Sequence, residues 1–77
     1  MTINSREIVQ MTAVQLGCSE VRPEDRLIED LDASSVDIVN LTVAIEDRFG
    51  VAIPEEDLAS LRTVADLCAL VTRLLGS

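Results

Sequence analysis

The chain has no lysine, no histidine, no tryptophan and no tyrosine, and Phe49 is its one aromatic residue. Lacking histidine and lysine, it lacks the side chains that most readily take a proton from a hydroxyl near neutral pH. Two cysteines, Cys18 and Cys68, make a poor metal site without histidine and are expected as free structural thiols rather than as a disulfide. Basic charge is scarce too: six arginines stand against fourteen acids, for a formal net charge of −8. No basic patch can form to neutralise nucleic-acid phosphates or to hold an anionic membrane surface. No apolar run approaches the roughly 20 residues that span a bilayer. The opening Met1-Thr2-Ile3-Asn4-Ser5-Arg6-Glu7 lacks the charged-then-apolar layout of a signal peptide, so a cytoplasmic location is expected.

What is present is apolar aliphatic mass. Residues 1–77 are expected to form one domain, and 48% of them are hydrophobic. With a single aromatic, the core must be built from Leu, Ile, Val and Ala. Such a core has no large rigid plates and can yield to a guest chain. The acidic surface complements basic patches on protein partners, with salt-sensitive steering.

Helical periodicity organises the chain. Asn4-Ser5-Arg6-Glu7 has the spacing of a capping box, and Ile8, Val9, Thr12, Ala13 and Leu16 then share one face until Gly17. A connector runs from Cys18 to about Ala33, in which Leu27, Ile28 and Leu31 are spaced to drop onto a core. A second helix is predicted over Ser35 to Phe49, capped by Ser34 with Asp37 three residues on, and closed by Gly50. Pro54 suits the first position of a short helix from Glu55 to Leu61. Thr63, with Asp66, caps a last helix whose Val64, Leu67, Cys68, Val71, Leu74 and Leu75 share an apolar arc ended by Gly76. No strand alternation and no repeat is found. The expected fold is all-α, a four-helix bundle of three longer helices and one short one with a long first loop.

Steps of about 100° per residue give the second helix two apolar stripes. Ile38, Leu41, Ile45 and Phe49 form one, while Val36, Val39 and Val43 form the other, almost opposite. Asp37, Asn40, Asp47 and Arg48 occupy the polar arc between them. A bundle this small has one core, so the valine stripe is expected to face a partner, with acids at its edges.

The pair Ser34-Ser35 stands at the start of that helix. Capping accounts for Ser34, leaving Ser35 one position later with an exposed hydroxyl. A helix N-terminus favours a bound anion, so a phosphate-linked group suits this position.

From Leu31 to Leu41, and through Ala44-Ile45-Glu46-Asp47-Arg48-Phe49-Gly50-Val51-Ala52-Ile53-Pro54, the chain resembles acyl carrier proteins. The likeness runs from about Ile3 to Leu75. In that family an Asp-Ser-Leu motif opens the second helix, and its serine carries covalent 4′-phosphopantetheine. The resemblance implies that Ser35 is this serine, with Ser34 as helix cap. It implies a freestanding, monomeric, non-catalytic carrier holding acyl groups as thioesters for fatty-acid, polyketide or related specialised biosynthesis. Implied partners are a phosphopantetheinyl transferase, which supplies base and magnesium, and a ketosynthase, acyltransferase or acyl-activating ligase with basic docking patches. Val36, Asp37, Val39, Val43, Glu46 and Asp47 would meet these partners. An acyl chain would fold back against Leu41, Ile45, Leu67 and Val71.

Two departures bear on the pathway. Ser34 replaces the family's Asp and Val36 its Leu, while Asn40 and Arg48 stand where many fatty-acid carriers are acidic. These changes point away from housekeeping fatty-acid synthesis. An aminoacyl or peptidyl carrier of the same fold is one alternative, although such carriers favour a Gly-Gly-His-Ser-like entry. A structural adaptor with Ser35 unmodified is another. The carboxylates lie on loops and exposed faces without a base or nucleophile beside them, so no enzymatic activity is expected.

Overall fold

A computed structural model describes residues 3–76, with side chains described from Asn4 onward. Met1, Thr2 and Ser77, which the one-domain reading includes, lie outside the described residues, as do the first two positions of the leader reading. Four helices follow in chain order: α1 (Ile3–Leu16), α2 (Ser35–Phe49), α3 (Glu55–Leu58) and α4 (Val64–Leu74). This is the expected bundle of three longer helices and one short one. Among the described residues no strand forms, and pairing is limited to an isolated antiparallel bridge between Arg26 and Thr63. No helix among them is long and apolar enough to cross a membrane.

Local chemistry sets most of the ends. Gly17, at φ +69°, closes α1, and the Cys18 N–H reaches back to the Ala13 carbonyl at 2.9 Å. That left-handed turn favours glycine, which has no Cβ to clash. Thr63 caps α4 by accepting the Asp66 N–H, and Asp66 in turn accepts the Thr63 N–H.

Three expectations fail here. The first helix already includes Ile3 and Asn4, so Asn4 does not stand outside it as a cap, and Glu7 instead pairs with Arg48 on α2. The helix α3 stops at Leu58 rather than Leu61, with Pro54 as its cap residue, and looser turns at Ser60 and Leu61 follow. Ile28 is 55% exposed, whereas its neighbour Leu27 is buried.

The core gathers Ile8, Leu27, Leu41, Ile45, Val64, Leu67 and Val71, all below 2% exposure. Each such side chain contributes about 1.5–3 kcal/mol on leaving water. Thr12 and Thr42 join them because their hydroxyls donate to the Ile8 and Val39 carbonyls, both at 2.8 Å, and so leave no unpaired polar group inside. The principal helix contacts are α1 with α4 and α1 with α2.

The long connector is stitched to the start of α4 by main-chain bonds. The Leu27 N–H donates to the Arg62 carbonyl at 2.8 Å, Val64 donates to Asp25 at 3.0 Å, and Ala65 donates to Pro23 at 2.8 Å. With the Thr63 cap, these bonds occupy the first N–H groups of α4. The connector is thereby held against the bundle and delivers Ala33 and Ser34 to the start of α2. Asp32, just before them, has φ 56°, a left-handed conformation that aspartate tolerates better than most residues.

Candidate functional site

Ser35 is the first residue of α2, and it is exposed. Ser34 before it is extended, and its Oγ accepts the Asp37 N–H at 3.2 Å while Asp37 Oδ2 accepts the Ser34 N–H at 3.0 Å. That reciprocal box occupies the third N–H of the helix. Among the described residues, the N–H groups of Ser35 and Val36 and the Ser35 hydroxyl have no partner. The contrast with α4 is direct: its first donors are taken, whereas two at the head of α2 stay open beside a free hydroxyl. An ester with an anionic group at Ser35 Oγ would find uncompensated donors and the positive end of the helix dipole within the same turn.

Ser35 lines a cleft of about 410 Å³ together with Ile28, with Ile38 and Val39 of α2, and with Glu55, Leu58, Ala59 and Leu61 of α3 and the turn after it. Its largely apolar walls suit an extended chain with few charges. This is not the route expected from sequence. Leu41, Ile45, Leu67 and Val71 are all at or below 1% exposure, closed in the core, so the open apolar space next to Ser35 is lined by other residues. Ile28, Leu58 and Leu61 were not singled out as site residues. No sequence-level signal marked them, and the exposure of Ile28 emerges only once Leu27 is seen to take the core position.

The two stripes of α2 separate as their spacing requires. Leu41 and Ile45 are buried, while Val36, Val39 and Val43 are 67%, 48% and 56% exposed. Asn40 and Asp47 are exposed on the same side as the valines. Arg48 turns toward α1, where Glu7 accepts from its Nη2 at 3.1 Å, and its guanidinium lies 5.4 Å from the centre of the Phe49 ring. Asp37 serves the cap. Glu46 accepts the Ile53 N–H at 2.7 Å, tying α2 to the loop that leads into α3.

Three groups elsewhere have displaced acidities, and that of Arg26 is raised by its bond to Asp30. The Arg26 main-chain N–H and guanidinium both donate to Asp30, at 2.8 and 3.2 Å, and hold its carboxyl below the usual aspartate range. Burial pushes the Cys68 thiol up, and its Sγ donates to the Ser5 carbonyl at 3.7 Å. Cys18 and Cys68 are both free thiols.

Comparison with known proteins gives these features a frame. The sequence model of the family described as phosphopantetheine attachment site matches residues 6–71. An acyl carrier protein of Helicobacter hepaticus is 39% identical over 70 residues, covering 91% of this chain and 92% of that protein. The meromycolate extension acyl carrier protein of Mycolicibacterium smegmatis is 50% identical over 56 residues, 73% of this chain and 57% of that longer protein. Of solved structures, the acyl carrier protein of Thermotoga maritima superposes with a TM-score of 0.80 at 25% identity, covering 95% of this chain and 92% of that one. A second solved chain, from Mycobacterium tuberculosis, has a TM-score of 0.87 at 24% identity over 91% of this chain and 96% of its own, a likeness of fold alone. The chain belongs to the acyl carrier proteins, non-catalytic carriers whose domain bears covalently attached 4′-phosphopantetheine.

Proposed function

We propose that Ser35 Oγ is the attachment point of 4′-phosphopantetheine, and that this carrier serves specialised acyl-chain biosynthesis. The observation that carries the assignment is the exposed, unpaired Ser35 hydroxyl at the head of α2, beside open N–H donors and an apolar cleft. Ser34 is a poorer acceptor of the group because its Oγ is engaged with the Asp37 N–H. With no histidine or lysine in the chain, deprotonation of Ser35 falls to a separate transferase, which also brings the magnesium.

Once attached, the group supplies a terminal thiol that holds an acyl chain as a thioester. The open N–H groups of Ser35 and Val36 would face the phosphodiester. Ile28, Ile38, Val39, Leu58 and Leu61 would line the path of whatever lies back along the cleft, limiting its contact with water. Presented on a tether, the cargo reaches each partner at raised effective concentration.

Val36, Val39 and Val43, edged by Asp37, Glu46 and Asp47, form the surface we assign to partners: the transferase, and a ketosynthase, acyltransferase or acyl-activating ligase with basic patches. Of the three acids Asp47 is the most outward, since Asp37 serves the cap and Glu46 reaches Ile53. A monomer working in the cytoplasm fits this role. The likeness to mycobacterial meromycolate extension carriers, with the replacements Ser34 and Val36, supports a specialised lipid or polyketide pathway over housekeeping synthesis.

Intact mass before and after incubation with coenzyme A, magnesium and a broad-specificity transferase tests the assignment. One phosphopantetheinyl addition is expected in the wild type and in Ser34→Ala, and none in Ser35→Ala. An unmodified wild type, or a modified Ser35→Ala, would overturn it.

A further inference from the structure

We propose that Glu46 is a positioning residue: its carboxylate latches the α2–α3 loop and thereby sets α3, the outer wall of the cleft beside Ser35. The inference rests on the reading of that cleft as the path of the bound chain.

Glu46 collects three loop N–H groups. Its main-chain carbonyl accepts Gly50 at 2.8 Å and Val51 at 3.3 Å, and its Oε2 accepts Ile53 at 2.7 Å. The first two bonds are main-chain bonds of the kind that close a helix at a left-handed glycine. The third is particular to this side chain, and as a bond to a charged acceptor it belongs to the stronger class. Ile53 is 9% exposed, so replacement water meets its N–H less readily than at an open loop once the carboxylate is gone.

Beyond the packing of Leu58 and Leu61 against the core, little else holds α3. With four residues, Glu55–Leu58, it is far below the length at which a helix persists by itself, and the principal helix contacts do not include it. Its tie to α4 is Arg73 to Asp57 at 3.3 Å, with the Arg73 side chain 66% exposed, a class of ion pair that contributes little. Yet α3 and the turn after it contribute Glu55, Leu58, Ala59 and Leu61 to the cleft. Releasing the Ile53 N–H, two residues before α3, leaves that stretch held by side-chain packing alone and loosens the wall beside Ile38 and Val39. Glu46 thus acts inward, through the loop, and any docking role of its charge is secondary.

Substitution by glutamine separates the two roles, since it keeps an oxygen acceptor and removes the charge. Isotope-labelled wild type, Glu46→Gln, Glu46→Ala and Asp47→Asn would be compared by NMR in the unmodified protein. The readouts are amide exchange at Ile53 and the methyl positions of Leu58 and Leu61. Octanoyl-coenzyme A and a broad-specificity transferase then load the chain, and the same methyls are followed. Glu46→Ala is expected to speed Ile53 exchange by about tenfold or more, to displace both methyls, and to shrink their response to the octanoyl chain. Glu46→Gln should stay within about threefold of wild type in exchange, and Asp47→Asn should match wild type in Ile53 exchange and in the methyl positions of the unmodified protein. Unchanged Ile53 exchange and methyl positions in Glu46→Ala, or Glu46→Gln behaving as Glu46→Ala, would overturn the latch. A wild type that is not loaded, or whose cleft methyls ignore the octanoyl chain, would instead overturn the attachment or cleft reading, while the unmodified protein still decides the latch.

Discussion

Ser34 and Asp37 cap each other: the serine Oγ accepts the Asp37 N–H at 3.2 Å, and the Asp37 carboxylate accepts the Ser34 N–H at 3.0 Å. The bond from the serine is of the kind whose loss destabilises a helix by about 1 kcal/mol. Ser34→Ala is therefore expected to lower the unfolding free energy by roughly 0.5–2 kcal/mol in urea titrations. Ser34→Asp, also a good cap, should stay near wild type. Ser35→Ala, which removes an exposed hydroxyl without a partner, should fall within about 0.5 kcal/mol of wild type. Equal losses at both serines would refute this division between a cap and a free hydroxyl.

The opposite faces of α2 should differ sharply in what they tolerate. Leu41 is 1% exposed and Ile45 is fully buried, whereas Val43 is 56% exposed. Leu41→Ala or Ile45→Ala should cost about 2–5 kcal/mol, which in a domain this small approaches global unfolding. Val43→Ala should cost no more than about 0.5 kcal/mol. Circular dichroism melts of the three variants check this. A Val43 variant as damaged as the other two would mean that the valine stripe is structural.

That split was legible in the sequence because helical periodicity alone produces it, as were the ends of α2, where Ser34, Asp37 and Gly50 act within one turn. Asn4 shows the weakness of such local signals. Its spacing to Glu7 fits a cap, yet α1 runs through Asn4, and Glu7 is drawn to Arg48 on α2, a contact no local pattern encodes. The connector was less legible still, since Leu27, Val64 and Ala65 anchor it through main-chain groups that every residue possesses. Glu46 read as a surface acid because nothing in its spacing announces an N–H seven residues ahead. The attachment serine was legible only through family likeness joined to its position. The cleft beside it depends on Leu27, not Ile28, taking the core site.

Acid should loosen the connector through Asp30. The Arg26 main-chain N–H, then its guanidinium, hold the Asp30 carboxyl below its ordinary value. An unfolded aspartate titrates near about 3.9, so above that pH the group is ionised in both states and its contribution is complete. As the pH falls below that value toward the lower folded one, the unfolded chain takes the proton first and the contribution is lost. The stability gap between wild type and Asp30→Asn should be present at neutral pH and close as the pH drops below about 4. Urea titrations of the pair along a pH series measure it, since the other carboxylates affect both proteins alike. A gap that widens on acidification would contradict the assignment.

The edge of the valine stripe should matter for encounter more than for stability. Asp47 is exposed one helical turn beyond Val43, and no ion pair among the described residues engages it. Its charge is therefore available to a basic partner. Asp47→Arg should lower kcat/KM for phosphopantetheinyl transfer by about tenfold at low salt, chiefly through the association step. At about 1 M salt, where screening acts over roughly 3 Å, most of that difference should vanish. Net charge alone would predict the same loss from any equal reversal, so Glu20→Arg, in the connector and outside α2, is the control. If the two reversals slow transfer equally, the protein's overall acidity steers its partners and Asp47 has no special place in docking. A loss confined to Asp47→Arg, fading with salt and leaving the urea midpoint unchanged, would fix the charged edge of the docking surface at this turn of α2.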